Sequence, residues 1–386
     1  MRRKSRIMSA LNAENVVRYI WEHPDWPKWH WDADRIAQPL AAAAREQGRL
    51  LGRMQGVGFA LREEAWLRML SSDIVDSGAI EGERLPLDQV RSSLARRLGL
   101  EAGGLVASAR DVEGMVELML DATRDFDREL TVDRLFDWHA ALFPTGRSGM
   151  VRIPVAQWRD DGDGPMEVVS GPVGREKVHF SGPPAVRVPA EMDAFLAWFK
   201  APGNADPLLV AALAHLWFVT IHPFADGNGR IARAIADMAL TRADGSPQRF
   251  YSMSGQILRE RADYYGMLEQ TQKQGGLDVT PWLEWFLGCL LRALDNAEGS
   301  LQTVLYKAQF WERFATEPLN ARQIKVLNRL LDGFEGGMTS SRWARMAKCS
   351  QDTAQRDIAD LLDRGALKKN PGGGRSTSYA LPDATP

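Results

Sequence analysis

Hydrophobic residues recur every three or four positions over most of this 386-residue chain, a spacing typical of helices with one face packed on a core. The pattern predicts a helical stretch from Arg35 to Leu70 and a second piece that continues through Glu83. Further helices are predicted over residues 106–125, 132–142, 191–199, 207–221, 231–241, 254–272 and 280–294. Thr131 directly precedes the 132–142 segment and can cap its first turn. The expected fold class is therefore mainly α.

Two segments depart from helical spacing. Residues 15–35 combine tryptophans with prolines and charges, which predicts a loop that anchors the N-terminal end on a larger body. Between Gly146 and Pro184 glycines and prolines accumulate, and short β-type runs at 167–169 and 177–180 flank a turn. This second segment is predicted to form a β-hairpin on the helical body.

The end of the chain carries its own set of elements. Three helices are predicted there, and their N-cap residues are expected to be Asn320, Thr339 or Ser340, and Ser350. Two short strands follow at 366–369 and 378–381, on either side of a glycine-rich turn. Three helices followed by a two-stranded wing resemble a winged helix-turn-helix domain.

Composition narrows the class of protein. With 45% hydrophobic and 25% charged residues, the chain is expected to be globular and large enough for two or three domains. Cys289 and Cys349 are the only cysteines and lie far apart, which fits a reducing, cytoplasmic location and neither a disulfide framework nor a zinc site. No signal peptide is expected, and the longest apolar run, at 208–221, is too short for a bilayer, so no membrane contact is predicted.

The most informative segment runs from His222 to Arg233 and reads His-Pro-Phe-Ala-Asp-Gly-Asn-Gly-Arg-Ile-Ala-Arg. A glycine-rich turn before a helix presents backbone N–H groups to an anion. Arg230 and Arg233 lie three residues apart on one helix face and can grip successive phosphates. Asp226 is an oxygen ligand suited to Mg²⁺, and His222 can take up a proton near pH 7. The segment therefore predicts phosphate chemistry rather than a simple turn or a calcium loop, which would need a bidentate glutamate.

The same segment matches the Fic-family signature His-Pro-Phe-x-Asp-Gly-Asn-Gly-Arg-x-x-Arg at every defined position. This resemblance implies a Fic-type helical bundle with a β-hairpin flap, in a family that typically transfers AMP from ATP to a protein hydroxyl. It implies that His222 deprotonates the target Ser, Thr or Tyr and that Phe224 packs inward to fix the loop. It also implies that Asp226 holds Mg²⁺ between the α and β phosphates of ATP.

The resemblance extends to the remaining positions of the site. The residues implied to form the anion hole are Gly227, Asn228 and Gly229, and those implied to hold the β and γ phosphates are Arg230 and Arg233. A Tyr-Tyr pair near the family's adenine pocket is matched by Tyr264 and Tyr265. The predicted hairpin resembles the family's flap, which pairs its edge with an extended segment of the target by β-augmentation. The flap residues expected to meet the target are Val178, His179 and Phe180.

A second pattern lies upstream. Ser77-Gly-Ala-Ile-Glu81-Gly82 matches the Fic inhibitory pattern Ser/Thr-x-x-x-Glu-Gly/Asn, and on a helix Ser77 and Glu81 share one face. The resemblance implies that Glu81 pairs with Arg233, occupies the γ-phosphate position and prevents productive ATP binding. Gly82 is expected to let another chain segment come close. The N-terminal region resembles the extension of one Fic branch, which places its inhibitory helix before the catalytic core.

The expected domains are an N-terminal helical region with the inhibitory motif (1–104), a Fic catalytic domain (105–295), a linker helix (296–317) and a winged helix-turn-helix domain (318–386). The leading hypothesis is a self-inhibited protein adenylyltransferase that modifies a protein hydroxyl, its own chain included, with a homodimer as a further possibility. One alternative is a DNA-binding regulator whose Fic core senses nucleotide. Others are a Fic enzyme that transfers another nucleotide, and one that removes AMP with Glu81 positioning a water.

The C-terminal domain has a basic balance that suits DNA or protein contact. Residues 318–386 hold eleven Lys and Arg against seven Asp and Glu, a net charge of +4 within a chain of net charge −2. The residues of the recognition helix able to meet bases or phosphates are Gln351, Thr353, Gln355 and Arg356. Those expected to repel DNA are Asp352, Asp357, Asp360 and Asp363. The wing would add phosphate contacts through Lys368, Lys369 and Arg375.

Overall fold

Helices account for most of the structure, a computed structural model that describes residues 18–99, 106–162, 164–172, 175, 177–273, 275–331, 334, 337–371 and 377–382. Within those residues the strands are short and form three two-stranded antiparallel sheets. The chain divides into two compact units, one made of residues 1–58 and 62–297 and the other of residues 59–61 and 298–386. The mainly α fold class expected from the sequence is confirmed.

Eleven of the described helices begin before residue 297. They are α1 (Ala33–Gln55), α2 (Phe59–Ile80), α3 (Leu87–Leu98), α4 (Arg110–Arg124), α5 (Val132–Leu142), α6 (Val188–Lys200), α7 (Pro207–Ile221), α8 (Asn228–Asp244), α9 (Met253–Arg259), α10 (Arg261–Lys273) and α11 (Thr280–Arg313). Two hairpins lie between α5 and α6: β1 (Arg147–Ser148) with β2 (Val151–Arg152), and β3 (Glu167–Ser170) with β4 (Lys177–Ser181). None of the described helices combines the length and the apolar character that crossing a membrane requires.

Helix boundaries differ from the predicted ones where glycine intervenes. The stretch predicted as continuous from Arg35 to Leu70 is two helices, since the chain leaves helical geometry between Gly56 and Gly58. Glycine has the lowest helix propensity after proline, so two of them close together favour a break. The second piece ends at Ile80 and not at Glu83. The predicted 254–272 helix is likewise interrupted at its Glu260 position, which separates α9 from α10. No separate helix was predicted at α3.

α7 is the central helix of the first unit. Every residue from Leu208 to Ile221 is buried, as expected for a helix that is apolar on all sides. Its start is fixed by Pro207 and by Asp206, whose carboxylate accepts a hydrogen bond from the Leu208 amide at 2.8 Å. α8 packs along it, so the loop between α7 and α8 is held by two buried helices.

The tryptophan-rich start of the described chain lies on this body. The rings of Trp26 and Trp29 meet the face of Trp217 on α7 edge-on, at centroid distances of 6.3 and 6.0 Å. The indole N–H of Trp21 donates to the carbonyl of Ser181 at the end of β4, at 2.7 Å. The predicted anchoring of this segment is therefore confirmed.

The β3–β4 hairpin also forms as predicted. Val168 lies opposite Phe180, and Val169 opposite Val178, with a register shift between the two valines. Such a bulge bends the strand and increases its twist. The hairpin leads from the loop after β2 to the start of α6.

The second unit has the order of elements predicted for a winged helix. It contains α12 (Ala321–Leu331), α13 (Ser340–Ala347), α14 (Gln351–Asp363), β5 (Lys368–Lys369) and β6 (Tyr379–Ala380), packed around the fully buried Trp343. Side-chain oxygens of the predicted caps accept amide hydrogen bonds at the three helix starts, and these caps are Asn320, Thr339 and Ser350. Arg375, predicted to lie in the wing, is outside the described residues.

Candidate active site

The loop between α7 and α8 turns sharply at two residues. His222 ends α7 with φ +52°, and Gly227 precedes α8 with φ +81°. Asn228 fixes the turn, because its side chain accepts from the Phe224 amide at 2.9 Å and donates to the Phe224 carbonyl at 2.8 Å. The N–H groups of the first turn of α8 consequently point toward this loop. Both hydrogen bonds of the Asn228 side chain therefore go to the backbone of the loop.

Phe224 anchors the loop to the protein interior. It is fully buried, and the ring of His139 on α5 stacks on it at a centroid distance of 4.2 Å. His139 Nε2 donates to the carbonyl of Asp226 at 3.2 Å, while its Nδ1 accepts from the Ala156 amide at 3.2 Å. Burial lowers the pKa of His139 to about 4, so the ring is neutral at pH 7 and serves both bonds.

The two ring nitrogens of His222 have different hydrogen-bonding roles. Its Nδ1 lies 3.1 Å from the carbonyl of Val219, and because a carbonyl only accepts, Nδ1 carries the proton. The other nitrogen, Nε2, is therefore the acceptor. Burial lowers the pKa of His222 to about 4, with Arg159 opposing protonation and Asp226 favouring it. The ring is therefore neutral at pH 7.

Asp226 is held from two sides. One carboxylate oxygen accepts from the Gly227 amide at 2.6 Å, and the other accepts from the hydroxyl of Ser148 on β1. Each oxygen keeps a further lone pair, so the residue suits a hard cation such as Mg²⁺. The described residues contain no group of three or more His, Cys, Asp or Glu side chains placed to hold a metal. A metal at Asp226 would take its other ligands from water and phosphate, which is the usual Mg²⁺ arrangement.

Arg233 is occupied by the upstream helix α2. Its Nη1 lies 2.7 Å from Glu81 Oε1, its Nε donates to Ser77 Oγ at 3.0 Å, and its Nη2 donates to the Ser77 carbonyl at 2.9 Å. Arg233 is 2% exposed. Burial acts to raise the pKa of Glu81, but the charge and hydrogen bond of Arg233 outweigh it, so the pKa is lowered and Glu81 is ionised at neutral pH.

A second ion pair lies beside the first. Arg230 Nη1 is 2.6 Å from Glu83 Oε1, a contact that the sequence patterns did not predict. Burial raises the pKa of Glu83, and Arg230 offsets only part of the shift. Both arginines of the signature are thus paired with acids of the segment that follows α2. The signal in the sequence was the Glu-Gly-Glu spacing, which places two carboxylates on either side of a turn.

Gly229, and not Gly82 as expected, allows the Glu81 carboxylate to come close to α8. A Cβ on Gly229 would overlap Glu81 Oε1, so glycine at the first turn of α8 makes room for the carboxylate. Gly82 was expected to admit another chain segment, and that expectation is wrong, since nothing lies within 4 Å of a Cβ built there. Gly82 instead has φ +86°, which an L side chain rarely adopts. Its role is to end α2 with a left-handed turn.

The tyrosine pair occupies two different environments. Tyr264 is 1% exposed, and its hydroxyl bonds to His215 Nε2 at 2.8 Å. Tyr265 keeps 38% exposure, and its hydroxyl lies 3.4 Å from Glu81 Oε2 and from the Ile80 carbonyl. Tyr265 therefore faces the end of α2 and Glu81, whereas Tyr264 packs in the core. Contact of either with adenine stays a prediction.

The flap residues differ in the same way. Phe180 is buried and packs edge-on against Tyr19 at 5.3 Å. His179 is half-buried, with Nδ1 lying 2.6 Å from Glu269 on α10. Val178 is half-buried, and its carbonyl accepts from Lys273 at 3.4 Å. β4 is thus tied to α10, and contact of these residues with a target stays a prediction.

The described site combines a neutral imidazole, a carboxylate, and two arginines at a helix start. Such an arrangement can remove a proton from a hydroxyl and bind a chain of phosphates. Four residues that contact the loop or the start of α8 were not predicted from the sequence, because they lie far from the signature in the chain and only folding brings them close. They are His139, Ser148, Arg159 and Glu83.

Comparison with known proteins places the site in a family. Residues 129–240 match the family model described as Fic/DOC family, and residues 19–100 match a model described as a domain of unknown function (DUF4172). A protein adenylyltransferase Fic from Nematostella vectensis is 27% identical over 235 residues, covering 58% of this chain and 47% of that protein. One from Culex quinquefasciatus is 28% identical over 236 residues, covering 58% and 40%. The chain thus spans about half the length, or less, of these curated relatives.

Solved structures share the fold. A Fic family protein from Desulfovibrio desulfuricans aligns with a TM-score of 0.50 at 22% identity, covering 92% of this chain and 97% of that one. A Fic domain containing signaling protein from Bacteroides thetaiotaomicron aligns with a TM-score of 0.50 at 22% identity, covering 67% and 97%. The signature loop lies within the matched model, so residues 129–240 of this chain carry a domain of the Fic/DOC family.

Proposed function

We propose that this chain is a self-inhibited protein adenylyltransferase, which transfers AMP from ATP to a hydroxyl side chain of a protein. The observation that supports the proposal most is the place of the Glu81 carboxylate, 2.7 Å from Arg233 and against Gly229 at the start of α8. A helix N-terminus beside an arginine is an anion site. The carboxylate would lie where a phosphate of the nucleotide binds. Matched relatives named protein adenylyltransferase Fic support the same reaction.

His222 is the proposed base. Its Nε2 would accept the proton of a target Ser, Thr or Tyr hydroxyl while that oxygen bonds to the α phosphorus of ATP. The bond from the α phosphorus to the bridging oxygen breaks, and pyrophosphate leaves. A pKa of about 4 makes His222 a weak acceptor in the inhibited state. A bound polyphosphate would raise this pKa through its negative charge and so improve the base.

The other side chains would handle charge. Arg230, Arg233 and the amides at the start of α8 would bind the phosphates and stabilise the charge that develops on them. Asp226 would hold Mg²⁺, which supplies further charge compensation to the phosphates when bound. The Ser148 hydroxyl, which donates to Asp226, would help to orient the carboxylate as a ligand.

Two acids would have to release two arginines before ATP binds productively. Glu81 and Glu83 pair with Arg233 and Arg230, and phosphate oxygens would compete for the same guanidinium N–H groups. This is the proposed basis of self-inhibition. An extended target segment would then pair with the edge of the β3–β4 hairpin, which would bring its hydroxyl toward His222.

The proposal is tested by supplying nucleotides to the chain. Glu81→Gly, in which the proposed inhibition is removed, is incubated with Mg²⁺ and each common nucleoside triphosphate, alone and combined with His222→Ala or the control His23→Ala, and products are measured by intact mass. We expect the mass of one AMP to appear on protein with ATP, to require His222 and to survive in the control. Labelling that persists in His222→Ala would contradict the mechanism. Loss of AMP from a pre-modified target, with no addition, would assign removal instead.

DNA contact by the second unit is a second proposal, favoured by one observation. Two acids expected to repel DNA are paired within the unit, since Asp357 lies 3.0 Å from Arg322 and Asp360 lies 2.9 Å from Arg364. Within the described part of the chain, no acidic side chain forms an ion pair with Arg345, Lys348 or Arg356. Exposed unpaired cations on the predicted recognition helix and the helix before it suit phosphate contact.

A further inference from the structure

Arg159 is a buried arginine outside the signature, and its guanidinium faces the backbone of the catalytic loop. Its Nε donates to the carbonyl of His222 at 2.8 Å, and its backbone N–H donates to the carbonyl of Pro223 at 2.9 Å. Its Nη2 donates to the carbonyl of Pro183, and its Nη1 lies 3.1 Å from Asp161. Arg159 is 5% exposed. Its donors are therefore committed to backbone and to one carboxylate, and not to solvent.

These contacts join two segments that are distant in sequence. His222 and Pro223 open the signature loop, whereas Pro183 follows the β3–β4 hairpin. A Cβ on Gly182 would lie 3.3 Å from Arg159 Nη2, so the chain after β4 fits closely around the guanidinium. Burial lowers the pKa of Arg159, and Asp161 offsets part of that shift. A buried guanidinium persists only when its donors find partners, as they do here.

The conformation of His222 explains why such a contact is needed. With φ +52° and ψ 58°, His222 lies in the left-handed region, which is energetically unfavourable for a residue with a side chain. A residue stays in that region only when its surroundings determine it strongly. The Arg159 bond fixes the carbonyl of His222, and the Val219 bond fixes its ring.

We propose that Arg159 is the positioning residue of the base: it holds His222 in its left-handed conformation and links it to the end of the β3–β4 hairpin. Arg159 would not touch substrate. The kinetic consequence rests on the proposed function, but the conformational one does not. Lysine would not replace arginine fully, because one ammonium cannot reach the His222 and Pro183 carbonyls in the fixed fork geometry of a guanidinium.

The conformational part is tested without any activity measurement. The histidine rings of the full chain are titrated by NMR in wild type, Arg159→Gln, Arg159→Lys and the control Arg187→Gln, with His222→Ala used for assignment. Arg187 pairs with Glu191 and is not part of the loop. We expect the His222 pKa to rise in Arg159→Gln, because a charge that opposes protonation is lost and the loop loosens. The backbone amide of His222 should exchange faster in both Arg159 variants and not in the control.

The kinetic part uses the Glu81→Gly background, in which the proposed inhibition is removed. We expect Arg159→Gln to lower kcat for AMP transfer by about 10²-fold, the effect of a misplaced catalytic group. KM for ATP should stay within about threefold, since the phosphate-binding groups are untouched. Arg159→Lys should fall between wild type and Arg159→Gln.

Each result decides one of the two proposals. If Glu81→Gly shows no AMP transfer, the proposed function fails, and the histidine titration alone decides the role of Arg159. An unchanged His222 pKa together with unchanged amide exchange in Arg159→Gln would overturn the positioning role. If Arg159→Gln does not fold, Arg159→Lys is measured instead, and wild-type amide exchange at His222 in that variant would overturn it.

Discussion

At the scale of single residues, two acids pair with the two arginines of this site. The side chain of Glu81 is 30% exposed and that of Glu83 is 41% exposed, whereas Arg233 and Arg230 are buried. The pKa of Glu81 is lowered and that of Glu83 is raised, burial being the largest influence on each. Arg233 compensates the burial of Glu81 more completely than Arg230 compensates that of Glu83. Glu81 is therefore expected to be the stronger inhibitory contact.

The variant Glu83→Gln tests this order. We expect it to tighten binding of a non-hydrolysable ATP analogue by about twofold to fivefold, because a partly exposed ion pair contributes up to about 1 kcal/mol. Glu81→Gln should tighten binding more, since it frees the buried Arg233. Isothermal titration calorimetry measures both, with Glu64→Gln on the exposed face of α2 as the control. A larger effect from Glu83→Gln than from Glu81→Gln would contradict the assignment.

At the scale of elements, α2 is held against α8 by more than the contacts of Arg233 with Ser77 and Glu81. One turn along each helix, Asp73 of α2 faces Asp237 of α8, and Arg249 lies 2.5 Å from Asp237. The amide of Ser254 donates to Asp73 at 3.2 Å. Burial and the charge of Asp73 raise the pKa of Asp237 to about 7, although Arg249 acts to lower it. Near neutral pH Asp237 therefore holds a proton more readily than an exposed aspartate does.

This pair predicts a pH dependence of stability. The pKa of Asp237 is raised from 3.8 to about 7 on folding, so the folded state binds more protons in that window. The free energy of unfolding should then fall as pH rises, by at most about 2 kcal/mol between pH 5.5 and 8. Asp237→Asn should remove this part of the fall, which urea unfolding measures.

The pH dependence of wild type has to be compared with that of Asp237→Asn, because other groups titrate in or near the same pH range. Burial also raises the pKa of Asp76 and of Asp244 to about 6, while it lowers the pKa of His222 to about 4, with the opposite effect on the slope. These contributions are common to both proteins. Parallel pH curves for wild type and Asp237→Asn would contradict a raised pKa of Asp237 in the folded protein.

The packing of α4 on α5 supplies another prediction. A Cβ on Gly114 would overlap the carbonyl oxygen of Ala141, so the two helices touch through the glycine. We expect Gly114→Ala to destabilise the protein by about 1 to 3 kcal/mol or more, because overpacking displaces backbone. Gly266→Ala in α10 is the matched control, since nothing lies within 4 Å there and alanine favours helix. Equal denaturation midpoints for the two variants would contradict this close approach.

The helix bounds predicted most accurately are those of helices whose start signal, a capping residue or a proline, lies directly at the beginning of the apolar pattern. The predicted bounds of α5 and α7 agree with the structure, because Thr131 and Pro207 mark their starts. α11 joins the helix predicted at 280–294 to the linker helix predicted at 296–317 and ends at Arg313, so Gly299 does not end the helix. Local signals fix a helix start more firmly than a helix end within a continuous apolar pattern.

The residues of the candidate site also differ in how well the sequence predicted them. The signature residues could be identified because they are consecutive, and Glu81 could be identified because its motif is short and local. The contact of Arg159 with His222 spans 63 residues, and that of Glu83 with Arg230 spans 147. Such contacts depend on how helices and loops pack, and neither spacing nor composition records that.

At the scale of the whole molecule, charge is distributed unevenly. The net charge of −2 combines +4 over residues 318–386 with −6 over the rest. A uniform acidic chain would repel DNA, but a basic unit at one end allows local contact with phosphates. The proposed DNA contact should therefore depend on individual cations of the second unit.

Charge reversal in the full chain tests the DNA proposal. We expect Arg356→Glu to weaken binding to a duplex by about tenfold and to reduce the slope of log affinity against log salt by about one. Arg124→Glu, an exposed reversal on α4, changes the net charge equally and should have little effect. Fluorescence anisotropy at several salt concentrations gives both quantities. Equal effects of the two reversals would show nonspecific charge attraction and contradict a site on α14.

The central claim is that Glu81 restrains a site competent for AMP transfer. The most direct measurement compares wild type with Glu81→Gly in Mg²⁺ and ATP labelled at the α or the γ phosphate, and records the initial rate of label on protein. We expect Glu81→Gly to incorporate α label about tenfold faster or more, as release of a buried ion pair allows, and to incorporate no γ label. Equal or slower incorporation by Glu81→Gly, or incorporation of γ label, would contradict the account.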